Sequence, residues 1–439
     1  MKGILGIALW VLAGLPASGL IFRDGVSPAA NTRVAPTGDY AGSGWQYQLR
    51  YLTSHATIIS PKHFITAAHL GTNQEKVTQQ SFFNGVELRT FAVKGIPIRI
   101  GDSDLRVFEI WETFDDYALL YTKSDEVGKE MVVHGRGIDR GAEVAGRGWE
   151  WGAYSTQKSR WGRNEVGGAV VASSGHELLH FDFSDVLGED EVMVSPRDSG
   201  GGWFIKDGPT WKLAGVTFSV DASYSSAVVP SDQNRFNGVL YDAGGLSIGN
   251  DDSGWNLIPV TGESEDPSDI RFYRQTNGYG SRISDSADEI QAIIDPAIGW
   301  KDLDPSAKFA AWLNDFGSIS LSGAADDPDG DGLTNLEEYL TESNPNDPGS
   351  RAKPMTVEYL PDGNHRLVLI ESLDLEGRDF TTVVESSSDL SNWVPVEDLT
   401  QTSSVRNNPS GVRTRILTRT PAGSGPIFYR LKTTMAPSN

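Results

Sequence analysis

Between residues 40 and 240 the apolar positions fall in short runs, at 56–60, 64–67, 98–100, 107–111, 118–121, 169–172 and 213–220. Gly, Asn, Asp and Pro separate them. Runs this short and this closely spaced predict an all-β barrel or sandwich. The pattern then changes period. Over 284–295, Ala287, Ile290, Ala292, Ile293 and Ile294 recur at helical spacing, which predicts one closing helix. A second helix is expected over 305–316. Strand-like runs return at 366–370, 380–384, 393–396, 413–417 and 427–432, enough for a small β-sandwich.

The N-terminus has another texture. Lys2 precedes an apolar stretch over 4–15, and Ala17, Ser18 and Gly19 offer small residues for a signal peptidase. The stretch is shorter than the roughly 20 residues a membrane span needs. A cleaved signal over 1–19 and a secreted or periplasmic bacterial protein are therefore expected, with no membrane span.

The chain has 439 residues, more than one ordinary domain holds. It contains no cysteine, so stability must come from burial or metal rather than cross-links. Its net charge of −22 is uneven, with 22 acids against 5 bases over 241–350. That sign excludes nucleic acid as a natural partner. Part of the acidic run, Asp327-Pro328-Asp329-Gly330-Asp331-Gly332-Leu333-Thr334-Asn335-Leu336-Glu337-Glu338, has the spacing of a 12-residue EF-hand loop. Asp327, Asp329, Asp331, the Leu333 carbonyl, Asn335 and Glu338 are its candidate ligands for a structural calcium ion. Thr334 stands where such loops carry an apolar residue.

Three segments carry candidate chemistry: Thr66-Ala67-Ala68-His69, Asp116-Tyr117-Ala118-Leu119-Leu120 and Asp198-Ser199-Gly200-Gly201. A serine hydroxyl needs a neutral imidazole to take its proton, and a carboxylate to orient that imidazole. In the order His, Asp, Ser, these segments resemble the matching segments of the chymotrypsin-like serine proteases. The histidine segment extends the likeness back to Ala56. Tyr279-Gly280-Ser281-Arg282-Ile283 resembles the last strand of that fold, so the resemblance spans about 20–295.

The resemblance implies a chymotrypsin-like double β-barrel and a secreted serine endopeptidase acting on polypeptides. It assigns His69, Asp116 and Ser199 to catalysis, and the amides of Arg197 and Ser199 to the oxyanion hole. Met193 falls on the floor of the specificity pocket, which then lacks a carboxylate for basic side chains. Asp198 is placed to receive an N-terminal ammonium, after cleavage near Leu20-Ile21-Phe22. Two features depart from the family: Arg197 replaces a glycine, and Leu70 follows His69 where the family carries a cysteine. His55 and His63 lack the context of His69 and are expected at the surface.

The resulting plan is a signal over 1–19, a protease domain over 20–295 with an insertion over 221–278, and a helical calcium-loop connector over 296–350. A C-terminal accessory β-sandwich over 351–439 follows, suited to binding a surface or polymer. The insertion borders the specificity pocket and is expected to form a lid. Two alternatives remain: a catalytically weakened protease-like binding protein, and a zinc peptidase using His176 and His180. The second alternative needs the His-Glu-x-x-His run on a helix, whereas its flanks read as a hairpin.

Overall fold

The computed structural model describes residues 20–23, 34–79, 89–138, 140–152, 158–184, 187–221, 223–227, 230–252, 254–260, 275–407, 410–421 and 425–435. The expected signal, and Phe272 and Tyr273 of the insertion, lie outside these. The fold is mainly β, 43% strand against 13% helix.

Six strands close into a barrel, in the order Gln48–Tyr51, Ser54–Ile58, His63–Ala67, Leu105–Ile110, Arg89–Arg99, Lys76–Gln79. Side chains alternate across each strand. Phe64 and Phe108 fill the barrel with Leu49, Tyr51, Phe91 and Ile110. Their neighbours Ile65, Leu105 and Val107 face outward into a second core. Both faces of these strands are buried, which is why they read as continuous apolar runs rather than alternating ones.

That second core is shared with a seven-stranded sheet. Its order is Arg160–Glu165, Glu130–Gly135, Gly202–Asp207, Thr210–Val220, Asn277–Arg282, Glu177–Asp182, Gly168–Val171. Val132, Phe204, Leu213 and Val216 contribute from the sheet, and Ile290 and Ile294 from the helix Ala287–Lys301. The helix runs beyond the expected 295 and contains Pro296, because Ala297 continues the buried stripe of Ile290 and Ile294. The far face of the sheet packs Phe181, Met193, Trp203 and Ala214. There Ile21–Phe22 pairs with Val192–Met193.

The insertion is no plain loop. Ser223–Ser225, Arg235–Leu240, Ser247–Asn250 and Gly254–Leu257 join Gly148–Trp151 and Arg140–Glu143 in a six-stranded sheet. Tyr224, Leu240, Ala243, Leu246 and Ile258 give it a core of its own.

After the barrel-and-sheet unit come helices Pro305–Asn314 and Asn335–Thr341. Asp304 caps the first, and Thr334 with Glu337 forms a reciprocal capping box on the second. Phe309, Trp312, Tyr339 and Phe380 bind them to the C-terminal part. That part consists of a four-stranded sheet (Met355–Tyr359, His365–Ser372, Val412–Arg419, Thr400–Asn407) and a three-stranded one (Val394–Pro395, Phe380–Ser387, Phe428–Met435). Among the described residues, no helix is long and apolar enough to cross a membrane.

Candidate active site

The strand His63–Ala67 ends in a single helical turn, Ala68–Leu70, which carries His69 out of the barrel. Its antiparallel partner is Leu105–Ile110, with Ala67 opposite Leu105. That register sets the residue before Leu105 beside the residues after Ala67. Asp104 therefore grips His69 twice. Oδ1 accepts from the His69 amide at 2.8 Å, and Oδ2 lies 2.6 Å from Nδ1. The Asp104 carbonyl also accepts from the Ala68 amide at 2.8 Å. Asp104 is buried. A carboxylate so placed fixes the Nδ1–H tautomer and leaves Nε2 as the proton acceptor.

Nε2 of His69 lies 2.9 Å from Ser199 Oγ. Ser199 sits in a loop whose backbone leaves little choice of residue. Gly200 has φ +81, and a Cβ there would stand 2.1 Å from the His55 carbonyl oxygen and 2.3 Å from Thr66 Oγ1. Only glycine fits so close an approach. Arg197 also adopts a left-handed backbone, φ +76. An L-residue pays roughly 1–2 kcal/mol for this conformation, so arginine accepts the geometry for which glycine is the natural choice. Within the loop the amides of Asp198, Gly200 and Gly201 bond to the carbonyls of Ser195, Thr217 and Asp198.

Asp198 is fully buried and accepts hydrogen bonds from the Ser195 amide, the Ser195 hydroxyl and the Gly137 amide. Burial outweighs these bonds and pushes its carboxyl up to about 6. Leu20 lies alongside: a Cβ on Gly135 would meet both Asp198 Oδ1 and Leu20 Cδ2.

Asp116 is not part of this constellation. Its side chain is exposed and bonds the amide of Tyr117 and, at 3.4 Å, the Tyr47 hydroxyl. The run behind it is a crossover: Ala118 bonds Ile58, and Leu119 and Tyr121 bond Leu213. The apolar run behind Asp116 is thus a link between barrel and sheet with a single bridge at Leu120 rather than a strand, and the acid beside His69 is Asp104. The signal available in the sequence was the buried run that begins at Leu105 immediately after Ser103-Asp104.

His55 is also misplaced by the surface expectation. It is 1% exposed, and its Nε2 lies 2.8 Å from Ser159 Oγ. Burial, together with Arg136 and His134 nearby, holds its pKa well below the ordinary value. His63 is half-buried, with Nδ1 2.8 Å from Ser60 Oγ.

Met193 is fully buried opposite Ile21, and its Sδ would touch a Cβ placed on Gly278. Val194 and Phe181 crowd the same point. His176 and His180 lie on a hairpin, Gly168–Val171 paired with Glu177–Asp182, and not on a helix. Four residues along a strand separate two side chains by roughly 13 Å, too far for one zinc ion.

The acidic loop forms a separate cluster. Asp327, Asp329 and Asp331 each present an oxygen within 4.8 Å of the others. Several of the carboxylate oxygens are engaged within the loop itself, Asp327 accepting from the amides of Gly330 and Gly332, Asp329 from that of Asp331, and Asp331 from that of Leu333. Asp329 Oδ2, Asp331 Oδ2, Asn335 Oδ1 and both oxygens of Glu338 are buried with no hydrogen-bond partner. Burial and the neighbouring carboxylates push the Glu338 carboxyl up to about 8. Asn335 turns its amide the other way, donating to the carbonyls of Leu321 and Gly323. Converging, unsatisfied oxygens of this kind suit a hard divalent cation.

No protein-family model matches the chain, and no curated protein matches it.

Proposed function

We propose that the chain is a serine endopeptidase with Ser199 as nucleophile, His69 as general base and acid, and Asp104, in place of Asp116, as the orienting carboxylate. The observation that carries this is the unbroken relay from Asp104 Oδ2 through His69 to Ser199 Oγ, at 2.6 and 2.9 Å. Ser199 Oγ attacks the peptide carbonyl carbon while its proton passes to His69 Nε2. Asp104 stabilises the imidazolium so formed. The amides of Arg197 and Ser199 receive the oxyanion. His69 then protonates the leaving amine as the C–N bond breaks, and water, deprotonated by the same imidazole, releases the acyl group.

The finer architecture belongs to this reading: a double β-barrel followed by a connector and a C-terminal sandwich. In support, the seven-stranded sheet and the closed barrel share one core, and the two C-terminal sheets share another around Leu367, Leu369, Val384 and Leu417. Met193, Val194 and Phe181 fill the space around Gly278, which favours small or apolar substrate side chains beside the scissile bond over long cations. Calcium in the acidic loop would bind through Asp327, Asp329, Asp331 and Glu338 and neutralise their mutual repulsion. Cleavage before Leu20, in a secreted protein, would bring an ammonium close to Asp198.

The test is labelling by a fluorophosphonate. Wild-type protein should react at one site and the Ser199→Ala variant should not. Failure of the wild type to react would leave a binding protein built on the same scaffold.

A further inference from the structure

Beside the relay, the strand Thr210–Val220 carries one residue more than its partner Asn277–Arg282. Thr217 pairs with Gly280 and Ser219 with Tyr279, so Phe218 forms a bulge between them. A bulge re-aims the side chain it carries, and the Phe218 ring stands 6.1 Å from that of His69. Phe218, Ser219 and Tyr279 line a cleft of about 550 Å³ together with Val171, Leu178 and Asp104. Val171 is 67% exposed, so the cleft keeps an open apolar side chain next to the relay.

An extra residue stays in place only where the register beyond it is held. Past Phe218 the strand has two pairs left, Ser219 with Tyr279 and Val220 with Gly278. Asp221 comes next. Its amide donates to the Asn277 carbonyl at 2.9 Å. Its Oδ2 accepts from the amide and the side-chain Nδ2 of Asn277, each at 3.3 Å, and from the Tyr279 hydroxyl at 3.2 Å. Burial pushes the carboxyl up to about 6, so near neutral pH it is ionised and only accepts. One oxygen therefore gathers the end of the bulged strand, the start of its partner and an aromatic residue of the cleft wall. The insertion leaves and rejoins the sheet at this point, and Tyr224 and Thr276 lock its root with a 2.6 Å hydroxyl contact.

We infer that Asp221 is a positioning residue of the active site: it pins the register beyond the Phe218 bulge, and so sets Phe218 and Tyr279 in the wall along which an extended peptide lies. The inference rests on the protease reading and adds to it a residue, outside the relay, on which peptide binding depends. Asp221 acts on the cleft through Tyr279 and the bulge. Its removal is therefore felt by a substrate long enough to enter the cleft, and little by one that reaches only Ser199.

The experiment compares an apolar hexapeptide with a small ester on wild-type protein and on the Asp221→Ala, Asp221→Asn and Tyr279→Phe variants. Kd for the hexapeptide is measured with Ser199→Ala added to each, and fluorophosphonate labelling is run in parallel. Asp221→Ala should raise the hexapeptide KM and Kd about tenfold, the loss of one good contact, while kcat on the ester falls by no more than about twofold. Tyr279→Phe should act in the same direction, and adding it to Asp221→Ala should bring little further change, since both break one interaction. Asp221→Asn keeps an acceptor and should recover at least half of the loss. Should Asp221→Ala not fold, Tyr279→Phe and Asp221→Asn carry the comparison. Hexapeptide binding that no variant alters, or an equal loss on peptide and ester, overturns the positioning role even where labelling upholds the protease. Hexapeptide Kd that depends on Asp221 in a protein that does not label upholds the role in the cleft and removes the protease.

Discussion

In the proposed mechanism a single carboxylate orients the relay. Asp104 holds both the backbone and the ring of His69, so replacing it by Asn should present the wrong tautomer to Ser199. Asp104→Asn should lower kcat on a peptide ester about ten-thousandfold, whereas Asp116→Asn, at an exposed side chain, should change it by no more than about twofold. The reverse ranking would remove Asp104 from the mechanism. Two aspartates head apolar runs in this sequence, Asp104 before Leu105 and Asp116 before Ala118. The resemblance of Asp116-Tyr117-Ala118-Leu119-Leu120 to the protease segment favoured Asp116. The choice depends on which run lies beside the histidine strand, and that is a long-range pairing, Ala67 with Leu105, which no local pattern contains. His69 and Ser199 were legible because their constraints are local: a strand end for the one, a glycine-bound turn for the other. At Arg197 the conflict between side chain and backbone is itself testable. Arg197→Gly should relieve the left-handed strain, offset by glycine's greater freedom when unfolded, for a net gain of up to about 1 kcal/mol. A urea midpoint that falls instead would mean the arginine side chain earns its place through contacts.

At the scale of elements, the strands carry the relay on a base of buried histidines. His134, on the strand Glu130–Gly135, donates from Nε2 to the Ser43 carbonyl at 2.8 Å and packs against Phe204. Burial lowers its pKa to about 4. His55, on the strand Ser54–Ile58, is lowered in the same direction. For such a group the unfolded chain takes up protons first, so stability is complete above about 6.5 and is lost as pH falls toward 4. For His134 the loss is on the order of 3 kcal/mol. Asp198 works the other way. Its raised pKa favours the fold at low pH, a contribution lost as pH rises from the ordinary carboxylate range through about 6. Asp221, also pushed up to about 6 by burial, acts with Asp198, but five histidines, His55, His63, His134, His180 and His365, are lowered and outweigh the two aspartates. The thermal midpoint should therefore drop between pH 6.5 and 4, and His134→Gln should flatten the slope. A midpoint constant over that range would show that these imidazoles are not held neutral. The strands themselves were largely legible from their short apolar runs. The insertion was not, because its strands include glycine and polar residues, such as Ser247–Asn250, and one of them, Arg235–Leu240, pairs with Gly148–Trp151 far away in sequence.

At the scale of the whole molecule, the C-terminal sheets are tied to the barrel that carries His69. Lys62, just before the histidine strand, meets Asp374 at 2.5 Å. Thr113 donates to the other oxygen of Asp374 at 2.8 Å, and Arg406 pairs with Glu112. Burial lowers the Lys62 pKa, and Asp374 opposes this only in part. The same junction reaches the acidic loop. Arg378 pairs with Glu342 at 2.5 Å and lies over the ring of Tyr339, which follows Glu338 on the helix Asn335–Thr341. None of this was legible in the sequence, where the contacts to the barrel are separated by 261 to 312 residues and read as ordinary surface charge. Removing one partner of a buried pair leaves an uncompensated charge, a cost of about 3–5 kcal/mol. Asp374→Ala should accordingly lower the thermal midpoint, and protease should then release the C-terminal part. Removal of the proposed calcium ion would act one step farther out. With the cation chelated, the carboxylates around Glu338 repel one another, so residues 327–338 should become susceptible to proteolysis and the midpoint should fall. The relay draws no ligand from that loop, so hydrolysis of a small ester should survive chelation almost unchanged. Glu338→Gln should remove most of the calcium response of the midpoint. Ester hydrolysis that vanishes with the chelator would place a metal in the chemistry and overturn this division between the brace and the relay.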